Sequence, residues 1–457
     1  MTRYKEKAVR ISVDLEILRE RNVANGEKFA ELQSKITQLV ACCDEREDCN
    51  DSELILRHVQ LQMRQLYQAE IENFVSGVRA EINKKQVEEY QFSDVVAAAT
   101  GGVFGALNAW MRPVSRNALP RSSIRDDVKG SGGNSTTSLW ASAFDGAQAS
   151  INLMKNRRFV EHMKIEHMCG EESESDHVVF CINGFMTQSA DPLRNWSSWK
   201  PIIFDRQSCP DNSPGTARES SVVLYNVYWE AGDIEDWNHF CTNANNLLGQ
   251  NSGFGSSTIN SVSAISSLVS HFAGNPWHKA QNKANLIGIM LAQVLASQPA
   301  IIRNRKVSLF GHSLGAAVVF QALQELARIR QERNIEERII TNAVFFGGAF
   351  IPHISKLTTV ANEIDSANGG KMINVFSTRD AVLSNLFWVS NMHGNSKVAS
   401  GCAAIKEFDD KTIDGINVDV SDLIPPVITT QFGHSYGPFM KQIAQRVVSH
   451  LRSAGSE

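Results

Sequence analysis

Gly311-His312-Ser313-Leu314-Gly315 lies between an apolar run, Val307 to Phe310, and a second apolar run, Ala316 to Leu326, whose composition suits a helix. A serine in a tight turn between strand and helix is held in a strained backbone conformation, with its hydroxyl at the tip. Positions two before and two after it must be small, because larger side chains would collide where strand and helix cross. Gly311 and Gly315 meet that need. The chemistry such a serine offers is nucleophilic. Its hydroxyl attacks only when a base removes the proton, and the base needs a third group to fix its tautomer and stabilise its cation.

Gly-x-Ser-x-Gly in this setting is the nucleophile elbow of α/β-hydrolases, in which the acid and then the histidine follow the serine along the chain. That order directs the search beyond Ser313. His353, His393, His434 and His450 are the available bases. His353 comes too early, close behind the strand that follows the elbow, and His450 falls near the end of a terminal helical pattern. His393 lies in a Gly/Asn/Ser-rich loop and stays as runner-up. His434, in Gln431-Phe-Gly-His-Ser-Tyr-Gly-Pro before a final helix (Phe439 to Leu451), is the preferred base. For the acid, Asp380 follows the apolar run Met372–Phe376 at a strand's carboxyl end, where groups of α/β sheets collect. Asp365, Asp409 and Asp410 are alternatives, and Asp380 also suits an N-cap of the segment that begins at Ala381. An oxyanion hole needs one N–H from the residue after the nucleophile, Leu314, and another from a loop behind an earlier strand. Asn183-Gly184-Phe185-Met186 has that position, with the Phe185 N–H as donor. No metal or organic cofactor is required.

These residues must be carried by a sheet. Val178–Ile182, Ser221–Trp229, Val307–Phe310, Ala343–Phe346 and Met372–Phe376 read as buried strands, with helical patterns between them at Ala280–Ala296 and Ala316–Arg333. Strands alternating with helices predict an α/β fold with a mostly parallel central sheet. A helix is expected over roughly Leu139 to His167, ahead of the first strand. Apolar residues spaced by three and four across residues 1–90 predict a helical hairpin or small bundle, broken at Asp44–Asp51. Its two readings are a layer packed on the sheet domain and a surface for a protein partner. The expected organisation is an N-terminal helical region over 1–112, a Ser/Gly/Asn-rich linker over 113–137 and an α/β-hydrolase domain over 138–457. An apolar insertion at about 243–273 suits a lid or plain packing.

Val95 to Met111 is the most apolar uncharged window. At seventeen residues it is short of the roughly 20 needed to span a bilayer. It reads as a packed helix, with peripheral membrane contact as the alternative. A net charge of −4 over 457 residues argues against nucleic-acid binding. Eight scattered cysteines without CxxC pairs argue for a reducing compartment and against a disulfide or zinc scaffold. With no apolar core of a signal peptide at the N-terminus, a cytoplasmic location is expected.

With these residues placed, the stretch 177–440 resembles the transmembrane and coiled-coil domain protein 4-like group of α/β-hydrolases. The resemblance rests on an ordered set of motifs. Asn183-Gly-Phe185 is followed by Asp191 and Trp196, then by Tyr228-Trp-Glu230. Asn275-Pro-Trp277 precedes a helix with Ala280, Ala284 and Gly288. The elbow is next, then Asn374-Val-Phe-Ser-Thr-Arg-Asp380, and last Gly433-His-Ser-Tyr436. The resemblance implies Ser313, Asp380 and His434 as catalytic residues. Many members carry membrane segments and have Phe or Tyr where this elbow has His312. Gly-His-Ser-Leu-Gly is also similar to class 3 lipases, which points towards lipid esters. The expected activity is ester hydrolysis through an acyl-enzyme. The rival expectation is an interaction or trafficking protein that uses the fold as a scaffold and binds partners through its N-terminal helices.

Overall fold

Seven strands assemble in the spatial order β1-β3-β2-β4-β5-β6-β7 in the computed structural model of the chain. They are β1 (Met163–Cys169), β2 (Ser175–Ile182), β3 (Ser221–Trp229), β4 (Lys306–His312), β5 (Ile340–Phe346), β6 (Lys371–Phe376) and β7 (Ile416–Asp419). Every neighbouring pair is parallel except β1 with β3. The structure describes residues 2–44, 49–89, 159–185, 187, 191–199, 221–232, 276–380, 382–384, 398–425 and 434–451. The apolar window 95–111, the linker 113–137, the insertion 243–273 and His393 lie outside them.

The parallel strands form where apolar runs are unbroken, because both faces of such a sheet are covered. All seven residues of β5 are buried, as are all of β4 except Lys306. The period of two sends Val179, Cys181, Phe310, Val344, Phe346, Ile373 and Val375 to one face. There they meet Trp196, Trp199 and the helix Met440–Leu451. That helix buries Met440, Ile443, Ala444 and Val447, spaced as one helical stripe requires. On the opposite face Phe345 meets Phe320 of the helix Leu314–Arg333. That helix packs against the helix Pro276–Ala296 at Gly288, where a Cβ would come within 2.7 Å of the Gln321 side chain and 2.8 Å of the Val318 carbonyl.

One expectation is corrected. Met163–Cys169 is an antiparallel strand beside β3, not the end of a helix reaching His167. Its hydrogen-bonding partner decides the matter, since a short alternating segment takes its conformation from the sheet it joins. The N-terminal region consists of three described helices, α1 (Thr2–Glu20), α2 (Gly26–Asp44) and α3 (Cys49–Glu89). The break between α1 and α2 turns through Asn22 at φ 58°, a left-handed conformation that asparagine tolerates.

The chain divides into two compact units, residues 1–80 with 160–457, and residues 81–159. Within the first unit, α1 and α3 are tied to the start of β4. The Arg305 guanidinium donates to Asp14 Oδ2 at 2.6 Å and to the carbonyls of Ser175, Ala300 and Glu172. The Tyr67 hydroxyl donates to the same Asp14 oxygen at 2.5 Å. Arg64 and the Tyr225 hydroxyl both reach the Glu172 carboxylate. Burial and the Asp14 carboxylate push the Tyr67 hydroxyl well above the ordinary phenol range. This cluster lies at the amino ends of the strands, one β4 length from Ser313, or roughly 20 Å at 3.3 Å per residue.

Candidate active site

Ser313 occupies the turn between β4 and the helix Leu314–Arg333 with φ 57° and ψ −120°. A non-glycine residue in that region is strained and persists only where its surroundings fix it. Three backbone bonds do so: Ser313 N–H to Phe346 O, and Ala316 and Ala349 N–H to Ser313 O. Ser313 precedes the helix but its hydroxyl makes no cap bond, which leaves the oxygen free for His434.

The glycines show why the turn accepts nothing larger. A Cβ at Gly311 would come within 2.5 Å of the Gly315 carbonyl, and one at Gly315 within 2.2 Å of the Ile182 carbonyl. Both obstacles are backbone, which cannot move aside as a flexible side chain can.

His434 joins the other two residues. Its Nδ1 is 2.7 Å from Asp380 Oδ2 and its Nε2 is 2.7 Å from Ser313 Oγ. An Nδ1–H that donates to the carboxylate leaves Nε2 as the acceptor for the Ser313 hydroxyl proton. Ser313 is 2 % exposed and Asp380 1 %. The structure thus brings together the three residues chosen from chain order. His353 instead precedes the helix Ile354–Ala361, and His450 sits in the last turn of the terminal helix.

Asp380 is set by its neighbours on the loop behind β6. Its N–H donates to Ser377 O, and Oδ1 accepts the Leu383 N–H at 3.0 Å. The Ser377 N–H is anchored on Gly401 O, tying this loop to the segment Ser400–Cys402. Burial, with the nearby Asp380 charge, pushes the Cys402 thiol far up, so it stays protonated.

Asn183 to Phe185 passes against the elbow. A Cβ on Gly184 would sit 2.5 Å from Ser313 Cβ and 3.0 Å from Leu314 N, so only glycine allows this approach. Leu314, at the first position of its helix, has an N–H with no carbonyl one turn back to receive it. The loop is braced from behind. The Trp229 indole N–H donates to Asn183 O at 2.9 Å, and Asn195 Nδ2 donates to Asn183 Oδ1 at 2.8 Å. The Phe185 ring meets Trp277 edge-on at 5.3 Å.

Two contacts escaped sequence reasoning. From the sequence His312 is only an elbow position, yet its ring lies over that of His434, and Tyr436 closes on both. Burial, and secondarily the neighbouring His434, lowers the His312 pKa to about 3, so the ring is neutral. Trp229 stood in the Tyr-Trp-Glu motif without a role. Neither assignment could be read from spacing, because both depend on which strand ends meet.

Residues 251–443 match the family described as Protein of unknown function (DUF726). Ser313, Asp380 and His434 all fall inside that match. Over 180 residues the chain is 31 % identical to the Transmembrane and coiled-coil domain-containing protein STS1 of Oryza sativa subsp. japonica, covering 39 % of this chain and 23 % of that protein. Over 260 residues it is 26 % identical to an uncharacterized membrane protein of Schizosaccharomyces pombe, covering 54 % of this chain and 29 % of that protein. The chain therefore matches less than a third of the length of these relatives. No solved structure matches it. Both relatives carry membrane-related names, while no helix among the described residues is long and apolar enough to cross a membrane.

Proposed function

We propose that the chain is a serine hydrolase of α/β-hydrolase type that cleaves carboxylic esters, with lipid-like esters as its substrate class. The observation that carries this reading is the pair of 2.7 Å contacts linking Ser313 Oγ, His434 and Asp380. Its support is the strained turn that presents Ser313 and the glycine-lined approach of residues 183–185.

Ser313 Oγ attacks the ester carbonyl carbon as its proton passes to His434 Nε2. Asp380 holds Nδ1 and offsets the charge on the imidazolium. The carbonyl oxygen becomes an oxyanion, which takes hydrogen bonds from the Leu314 and Phe185 N–H groups. The carbonyl re-forms, the C–O bond to the alcohol breaks, and His434 returns its proton to the leaving oxygen. Water then repeats the sequence on the acyl-serine, releasing the acid and restoring Ser313.

The lipid-like class is supported by the membrane-related names of the relatives and by the apolar window 95–111, which suits peripheral contact with a lipid surface. A fluorophosphonate probe tests the enzyme reading. Labelling of the wild-type chain that disappears in Ser313→Ala supports it, and a folded wild-type chain that takes no label refutes it. Acyl esters of graded chain length then test the substrate class, which fails if turnover does not rise with chain length.

A further inference from the structure

We propose that His312 is a positioning residue that holds the plane of the His434 ring by packing flat against its face. The proposal rests on the hydrolase reading only for its effect on rate.

The two hydrogen bonds of His434 lie in the plane of its ring, one at each end. They fix the distances to Asp380 and Ser313 but leave the ring free to tip about the line joining its two nitrogens. Resistance to tipping must come from what touches its faces. The His312 ring lies 5.3 Å from the His434 ring, centre to centre, with 28° between the planes. That is the offset, near-parallel arrangement in which flat rings pack. Tyr436 meets His312 at 5.2 Å and His434 edge-on at 6.4 Å, closing the group from the side.

The support is stiff. His312 is the last residue of β4, paired in register with Phe346 of β5, and Gly311 beside it is locked against the following helix. His312 is also bonded directly to Ser313. The surface on which the base rests therefore belongs to the same rigid segment as the nucleophile, so base and nucleophile keep their mutual geometry although His434 comes from a separate loop. Tyr436 is held in turn, with its ring against Gly347, where a Cβ would come within 2.9 Å of it.

What His312 contributes is its face. Both ring nitrogens are buried, and among the described residues neither meets a side-chain hydrogen-bond partner, the His434 backbone being the polar group close to them. A neutral flat ring also places no charge against the imidazolium formed on His434 during acylation.

The test reads the His434 Nδ1–H···Asp380 proton as a far-downfield NMR resonance, assigned by its loss in Asp380→Ala, together with the rate of fluorophosphonate labelling. His312→Ala is expected to speed solvent exchange of that proton and to slow labelling by about 10²-fold, the scale of a reacting group displaced by an ångström. His312→Phe, which restores a flat face without nitrogens, is expected to recover both. His312→Leu fills the volume without a flat face, so it should resemble His312→Ala and serves if the alanine variant does not fold. An unchanged resonance and rate in folded His312→Ala or His312→Leu overturns the proposal, and so does a phenylalanine variant that recovers neither. If wild type takes no label but the resonance responds as stated, the enzyme reading fails while the positioning role stands.

Discussion

Asp380 turns one carboxylate oxygen to His434 and the other to the backbone: Oδ2 is 2.7 Å from His434 Nδ1, and Oδ1 accepts the Leu383 N–H at 3.0 Å. The capping bond restricts rotation of the carboxylate and so aims Oδ2 at the imidazole. Two roles that would compete on a single oxygen reinforce each other on two.

Asparagine and alanine at this position should therefore behave differently. In Asp380→Asn an amide oxygen still caps Leu383, while the charge facing His434 is lost and the base is left in the wrong tautomer. The fold should persist and the labelling rate should fall by about 10⁴-fold, as for the equivalent change in other serine triads. Asp380→Ala should lose the cap as well, at about 0.5–2 kcal/mol. Thermal melting and labelling, run on both variants, separate the two effects. Equal melting temperatures would show that the cap contributes nothing.

Gly184 tests the closeness of the proposed oxyanion loop to the elbow. Gly184→Ala would place a methyl 2.5 Å from Ser313 Cβ, and the loop must retreat. Losing one oxyanion donor costs about 10²–10³ in turnover, so that reduction is expected in kcat with a smaller change in KM. Ester kinetics check this, and an unaffected kcat would remove residues 183–185 from the reaction. Trp229→Phe should have a milder effect of the same kind, because it deletes one of the two bonds that brace Asn183 and leaves the Asn195 bond in place.

The N-terminal helices bear on stability. Arg305 and Asp14 are buried partners, and removing one leaves the other charged and unpaired. Arg305→Met and Asp14→Ala should each destabilise by about 3–5 kcal/mol, the range for breaking a buried pair. The two together should cost less than the sum of the singles, since the second change removes the stranded charge. Urea unfolding of the three variants measures this, and strict additivity would mean that the pair is not coupled. Residues 1–80 fold with the sheet in one unit, so their deletion should give insoluble chain rather than a free sheet domain.

The parts of this molecule legible in the sequence are those that local chemistry dictates. β2 to β6 appear as apolar runs because a parallel strand buried on both faces has no use for polar residues. The elbow shows itself through Gly311 and Gly315, whose Cβ atoms would strike backbone. Asp380 and His434 follow from chain order. The rest depends on partners distant in sequence. Met163–Cys169 contains Lys164, Glu166 and His167, typical of an edge strand with one open side, and only pairing with β3 makes it a strand. Four-residue β7 is too short for a period to register. Arg305 reads as one more charge in a basic run until Asp14, almost three hundred positions earlier, is brought against it.

His312 gives a pH dependence of stability. Burial, then His434, holds its pKa at about 3, against an ordinary 6.5. Between those values the unfolded chain carries a proton on His312 that the folded chain does not. Stability rises with pH wherever the unfolded state binds more protons. The contribution is therefore fully present above pH 6.5, falls as the pH drops below it, and levels off near 3. A single group can change stability by up to about 1.4 kcal/mol per pH unit inside that window. His312→Phe cannot titrate, so its stability relative to wild type should climb steadily as the pH is lowered from 7.5 to 5. Urea midpoints of both proteins at several pH values measure the gap. A gap that stays constant over this range would mean that His312 binds its proton as readily in the folded chain as in the unfolded one, and the ring resting on His434 would then become a cation as the pH falls below 6.5.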